Sequence, residues 1–483
     1  MIDFRTPPPP LTARQRLALV AVTVVVAFSR LAALARGPWD WDEMLFLLAL
    51  RDYDVALHHP HPPGFPLFIL AARGGMLAGL EPFRALQAVN LVAAVFIVPA
   101  MVALCRELRF PFRAGLAAAA VFAFLPNVWF YGGTAFSDVA AIVLAVVASA
   151  LLLRGARSPG ALVAGALVLG VAVGFRPQNL LAGFAPAMIG VWSQWGQRRI
   201  GAVLAAAAAG MVVVGASYGG AVVATGEWAR YRDALLAHRQ YLTEVDSFRS
   251  EIRPSLLQVS DDFFIRPFRF PAINITLSAL ALLSLVTALR KRRMPVLLAL
   301  ASFGPFWLLA WLTLDFHSAS RFSIGYMPLL AILSADAMSM LAGRVSPGER
   351  RGAIVLGVMT SLLAGSMFVW ALPAVSRVRR ELSPPLQAVR VVRQELGGRG
   401  TAVYVQKRLR PYAEYYLAGL PLVHVEEELP RGSQAPASGV YLREGSSGSA
   451  GARNLAWPRD RLWGIARRRY FEVSIVPLPA PTD

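Results

Sequence analysis

The stretch WDWDEMLFLL at 39–48 sets Asp40, Asp42 and Glu43 between two tryptophans and an apolar run. Two uses compete for such carboxylates. Asp40 as N-cap with Glu43 at the third helical position forms a capping box, whereas a carboxylate held at the boundary of water and lipid can serve catalysis. Fifteen residues on, HHPHPPGFP at 58–66 carries His58, His59 and His61 on a backbone that its prolines bar from helix and sheet. Three histidines beside carboxylates raise the question of a metal, but their Pro-interrupted spacing closes no ligand shell, and no metal or other cofactor is expected. A further carboxylate, Asp138, follows YGGTAFS. By itself it reads as an ordinary helix start. Cations that could meet an anion are Arg176 in GFRPQN, Arg266 and Arg269 in IRPFRF, and His317 with Arg321 in DFHSASR. Each also has a plain reading as an interfacial anchor.

The elements that must position these groups are membrane helices. Of 483 residues 56% are hydrophobic and 16% charged, and apolar runs near 20 residues, each enough to cross about 30 Å of hydrocarbon, recur along the chain. Such runs fall at 14–33, 86–105, 114–131, 138–153, 160–175, 178–192, 200–224, 272–289, 294–313, 322–342 and 353–372, which predicts eleven spans. Arg106, Arg109 and Arg113, then Arg154 and Arg157, Arg198 and Arg199, 290–293, and Arg344, Arg350 and Arg351 fall in alternate loops. The positive-inside bias therefore puts the N-terminus in the cytoplasm and explains the 48 basic against 29 acidic residues without nucleic acid as partner. The single cysteine, Cys105, allows no intrachain disulfide.

The expected organisation is a cytoplasmic tail at 1–13, a membrane core at 14–375 with outer loops at 36–85 and 225–271, and an outer domain at 376–483. Residues 65–80 are apolar but short and carry Arg73, so they are expected to lie along the interface. In the last hundred residues 401–406, 421–426, 439–444 and 470–478 read as strands, 386–396 and 410–419 as helices, and GSSGSAG at 445–451 as a flexible link. This predicts a small α/β unit. Its Glu426-Glu427-Glu428 run reads as a solvated face, and RDRLWGIARRRY at 459–470 as a basic side turned to anionic headgroups or an anionic acceptor.

The order of these features resembles the GT-C glycosyltransferases, specifically the protein O-mannosyltransferases and lipid A aminoarabinose transferases. Asp42-Glu43 match that family's D-E pair, His61-Pro62-Pro63-Gly64 resemble its H-P-P-L-G turn, and Asp138 matches its second-loop acidic residue. SRFSIGYMPLLAIL at 320–333 and PYAEYYLAGLPL at 411–422 look like the family's late-span entry and outer-domain helix. Two features depart from it: HHPH stands where the aminoarabinose group has a basic residue before its prolines, and the outer domain is not the β-trefoil of the eukaryotic mannosyl enzymes.

The resemblance implies an inverting enzyme of the plasma (inner) membrane that moves a sugar from a polyprenyl-phosphate donor to a hydroxyl of a glycan, lipid or protein acceptor on the outer face. Asp42 would then be the general base, Glu43 would orient a partner or cap its helix, and Asp138 would hold the acceptor or a cationic neighbour. His58, His59, His61, Arg176, Arg266, Arg269, His317 and Arg321 are the candidate substrate contacts, with Arg321 the preferred contact of the leaving phosphate. The outer domain is expected to bind or orient the acceptor and to supply no catalytic group. A polytopic transporter or flippase is the alternative, but it calls for ionisable groups near the bilayer midplane, and the spans here are nearly free of charge.

Overall fold

The computed structural model describes residues 3–346, 348–396, 401–426, 428–429, 438–466 and 471–478. Helices occupy all eleven positions expected to span. Five helical stretches among the described residues are long and apolar enough to cross a membrane: Ile200–Thr225, Pro271–Lys291, Met294–Thr313, Phe316–Val345 and Glu349–Glu395. Pro82–Val95 and Ile97–Glu107, bent by 41° at their junction, would make a sixth as one broken span. Ala13–Leu31 has 19 residues but carries Arg14, Arg16 and Arg30; the rest are shorter, and proline accounts for one of the interruptions: Pro126 starts a new helix directly after Phe112–Phe124. Pro66–Leu77, within the segment expected along the interface, is a helix of 12 residues. At 1.5 Å per residue it reaches about 18 Å and cannot cross.

Lipid offers helices no hydrophobic drive to associate, so small residues must let backbones approach. The bundle follows this rule. A Cβ on Gly165 would lie 2.8 Å from the backbone nitrogen of Leu152, and one on Gly170 would lie 2.9 Å from the Val213 side chain. These contacts join Pro159–Phe175 to Asp138–Arg154 on one side and to Ile200–Thr225 on the other. Two ion pairs lie at helix ends in the loops expected to face the cytoplasm: Arg157 with Glu107 at 2.6 Å, and Arg293 with Asp336 at 2.7 Å, where Ser284 also donates at 2.7 Å.

Beyond the core lies a five-stranded sheet. Its strands are β1 (Ala402–Gln406), β2 (Leu422–Val425), β3 (Gly439–Glu444), β4 (Arg453–Ala456) and β5 (Glu472–Leu478), in the order β2-β1-β3-β5-β4. β1 runs parallel to β2 and β3, while β5 runs antiparallel to β3 and β4. Four of these strands fall where the sequence predicts them; β4 does not, because RNLA lacks a β-branched or aromatic residue and pairs only as an edge. The GSSGSAG link joins β3 to β4 and is held by Asn454, whose side chain accepts from the Ser447 N–H at 2.9 Å and donates to its carbonyl at 3.0 Å. Glu427 and residues 467–470, parts of the expected acidic and basic faces, lie outside the described residues.

Core and sheet are joined by the helix Glu349–Arg380, which continues past the expected end of its span. Its Arg377 pairs with Asp460 at 2.7 Å. Within the core, the turn at 132–136 gathers three segments: Ala35 N–H donates to the Gly133 carbonyl at 2.8 Å, and Gln87 donates to the Ala35 and Gly133 carbonyls at 3.0 and 2.8 Å. A Cβ on Gly133 would overlap the Ala33 carbonyl group, a backbone atom that cannot step aside. Gly133→Ala is therefore expected to cost about 1–3 kcal/mol by overpacking, read as a lowered thermal midpoint of the detergent-solubilised protein; an unchanged midpoint would show that this approach is relaxed in solution.

Candidate active site

Helix Trp41–Arg51 opens as the capping box predicts. Asp40 caps it, and Glu43 at the third position reaches back to the N–H groups of Trp39 and Asp40 at 2.9 and 3.3 Å. Its other oxygen accepts the N–H of Ala135 at 2.9 Å. Glu43 is fully buried, so it staples the first outer loop to the turn before Asp138. Burial pushes its carboxyl up to about 8, while the N–H donors pull the other way.

That staple sets Asp42 beside Asp138. The Arg321 guanidinium lies between them: Nε donates to Asp138 Oδ2 at 3.0 Å, and an Nη donates to Asp42 Oδ2. Arg176 completes the group, with an Nη on the same Asp138 oxygen at 2.8 Å and Nε on Ser137 Oγ at 2.9 Å. Arg321 and Asp138 are buried, at 4% and 6% side-chain exposure, and Asp42 is 15% exposed. Two carboxylates and two guanidiniums thus balance in a site where an unpaired charge would be costly. Phe136 lies 4.4 Å from the Arg321 guanidinium carbon and Phe65 lies 5.3 Å from that of Arg176, so aromatic faces support both cations.

His61 stands on the open side of this group. Its Nδ1 lies 3.9 Å from Asp42 Oδ1, too far for a hydrogen bond, and is buried with no hydrogen-bond partner. A hydroxyl placed between the two atoms could reach both. Burial, with Arg321, His238 and Arg176 adding to it and Asp42 opposing, brings His61 down to about 3, so the ring is neutral at working pH. His238, from the helix Trp228–Tyr241, has its ring 6.1 Å from that of His61.

The other candidates lie elsewhere. His58 is exposed, and His59 lies 4.0 Å from Glu414 of the outer domain. Arg266, Arg269 and His317 line a separate polar cavity of about 250 Å³, which meets the carboxylate site through the neighbours Ser320 and Arg321. Among the described residues no group of three or more His, Cys, Asp or Glu side chains could hold a metal ion.

No family model and no curated protein matches this chain. Solved structures do. ArnT from Cupriavidus metallidurans, bound to undecaprenyl phosphate, superposes with a TM-score of 0.54 over 96% of this chain and 98% of its own, at 15% identity. The Archaeoglobus fulgidus oligosaccharyltransferase tethered to an acceptor peptide gives 0.52 over 83% of this chain, which spans 63% of that longer protein, at 13% identity. The chain has the GT-C glycosyltransferase fold. At these identities the likeness is one of fold.

Within this GT-C fold, Phe136, Ser137 and His238 have no counterpart in the sequence reading. Ser137 and Phe136 are ordinary neighbours of Asp138 until folding turns them onto Arg176 and Arg321. His238 had a usable signal, as one of only six histidines and the one placed in the second outer loop.

Two outcomes follow from this geometry. Glu43→Gln must turn an amide N–H toward a backbone N–H, so it is expected to lower stability by about 1–3 kcal/mol, measured as the thermal midpoint in detergent; a midpoint within error of the parent would mean that the staple is slack. For His61 the folded value lies below the ordinary one, so the unfolded chain binds the extra proton as pH falls from about 6.5 toward about 3. Its contribution to stability is present above that window and lost through it, and His61→Gln is expected to flatten the acid limb of midpoint against pH. An unaltered limb would place the acid sensitivity in another group.

Proposed function

We propose that this protein is an inverting glycosyltransferase of the plasma (inner) membrane. It moves a hexosyl or pentosyl group from a polyprenyl-phosphate donor to an acceptor hydroxyl of a glycan, lipid or protein on the outer face, without a metal or other cofactor. The N-terminus lies in the cytoplasm and the C-terminal domain outside. The observation that carries this reading is the Asp42–Arg321–Asp138 bridge, a charge-balanced, mostly buried site at the ends of helices in a chain with the GT-C fold.

Asp42 is the general base. Arg321 on Oδ2 fixes the plane of the carboxylate, and Oδ1, which faces His61 at 3.9 Å, is the oxygen assigned to take the acceptor proton. The acceptor oxygen bonds to the anomeric carbon as the bond from that carbon to the phosphate oxygen breaks, and polyprenyl phosphate leaves. A positioned carboxylate contributes about 10²–10⁴ in rate to such a step. Asp138 is a positioning residue that holds Arg176 and Arg321. Two of the five N–H groups of Arg321 go to the carboxylates, and the rest suit the leaving phosphate. For the lipid there is an apolar cavity of about 530 Å³ between the helices Pro159–Phe175, Leu180–Gly196 and Ile200–Thr225. Its lining residues Val173 and Leu180 flank Arg176 in the chain, so a polyprenyl tail laid there would begin beside the phosphate contacts.

The test is Asp42→Asn in the purified, lipid-reconstituted protein, with transfer followed from a radiolabelled polyprenyl-phosphate sugar. The amide keeps the shape but takes no proton, so turnover is expected to fall by about 10²-fold or more with the thermal midpoint close to the parent's. Asp138→Asn is expected to be impaired to a lesser degree. Full turnover by Asp42→Asn would remove the base assignment.

A further inference from the structure

The cavity lined by Arg266, Arg269 and His317 has a composition that the proposed chemistry at Asp42 does not require. Its cations are already matched. Arg266 pairs with Asp261, and Arg269 lies 4.0 Å from Asp262. A phosphate entering here would set further negative charge against these two carboxylates, so the site is poorly made for an anion. What it does offer is a mixture of fixed donors and acceptors between the aromatic side chains of Tyr131, Phe316 and Trp463. One group stands out. Ser320 is buried, at 7% exposure, lines the cavity, and its hydroxyl has no hydrogen-bond partner among the described residues. A buried hydroxyl in that state costs free energy that a ligand hydroxyl would recover.

The walls are built to stay. The outer-domain helix Leu462–Ile465 closes one side, where a Cβ on Gly464 would lie 2.6 Å from Arg269 Cβ and 3.2 Å from the Phe268 carbonyl oxygen. Tyr131 donates its hydroxyl to the Ile465 carbonyl at 3.2 Å across the same seam. At about 250 Å³ the space falls just below the roughly 300–1,000 Å³ of drug-sized sites, which suits one small ring.

We propose that this cavity between the membrane core and the outer domain binds a neutral sugar ring, with aromatic faces against its C–H surface and Ser320, Asp262 and the paired arginines on its hydroxyls. The inference rests on the glycosyltransferase reading only for what carries the ring, which is either the donor or a glycan acceptor. In either case the outer domain shares in recognising a sugar, and the cavity connects to the reacting groups through the peptide bond between Ser320 and Arg321.

The experiment is saturation-transfer NMR on the full-length protein in detergent with neutral methyl glycosides of gluco, manno, galacto and arabino configuration, and ³¹P titration with inorganic phosphate. At least one glycoside is expected to bind saturably, about three- to tenfold more weakly to Ser320→Ala and Asp262→Asn, and equally to the parent and Asp42→Asn. Displacement of that glycoside by the polyprenyl phosphate of the same sugar assigns the ring to the donor, and coexistence assigns it to the acceptor. Absence of saturable glycoside binding, binding indifferent to both cavity variants, or displacement by inorganic phosphate alone would overturn the proposal. Asp42→Asn tests the reaction and leaves the cavity intact, so the two readings fail separately.

Discussion

Arg321 is the point on which the outer half of the molecule turns. Its guanidinium joins Asp42 and Asp138, residues 279 and 183 positions away in the chain, so three segments must arrive together. Arg321 and Asp138 are buried too deeply for water to take a partner's place, and removing one member of a buried ion pair typically costs about 3–5 kcal/mol because the partner is left charged and alone. The helix entries at Trp41, Asp138 and Ala319 are thereby tied to one another independently of the lipid-facing packing below them.

Around that cation the neutral hydrogen bonds act as a frame. Asn90 donates to the Thr134 carbonyl at 3.0 Å and accepts from the Ala140 N–H at 3.1 Å, so the turn before Asp138 is gripped on both sides. Glu43 takes the Ala135 N–H within the same turn. The turn that leads into Asp138 is thus fixed by groups outside the ion bridge itself.

The helices were legible in the sequence, because membrane helices announce themselves by length and apolarity. The capping box at Asp40 and Glu43 was readable for the same local reason: it depends on residues three apart. What escaped were properties of the assembled bundle. Nothing in DFHSASR says that Arg321 turns to two carboxylates while His317, four residues earlier, faces another cavity. Nor does HHPHPPG reveal that His61 goes to Asp42 and His59 to the outer domain, since that choice is made by partners far along the chain. The apolar run at 114–131 was counted, but not that Pro126 breaks it into two helices.

The helix Glu349–Arg380 sets a dimension of the whole particle. Its 32 residues measure about 48 Å at 1.5 Å each, against roughly 30 Å of hydrocarbon, so about 18 Å of helix is left over, shared between its two ends. With Arg377 near its end clasping Asp460, the sheet is held at a set altitude and cannot swing like a tethered bead. The length of one helix thus sets the level at which the sheet meets the core, along the seam where Tyr131 reaches the Ile465 carbonyl.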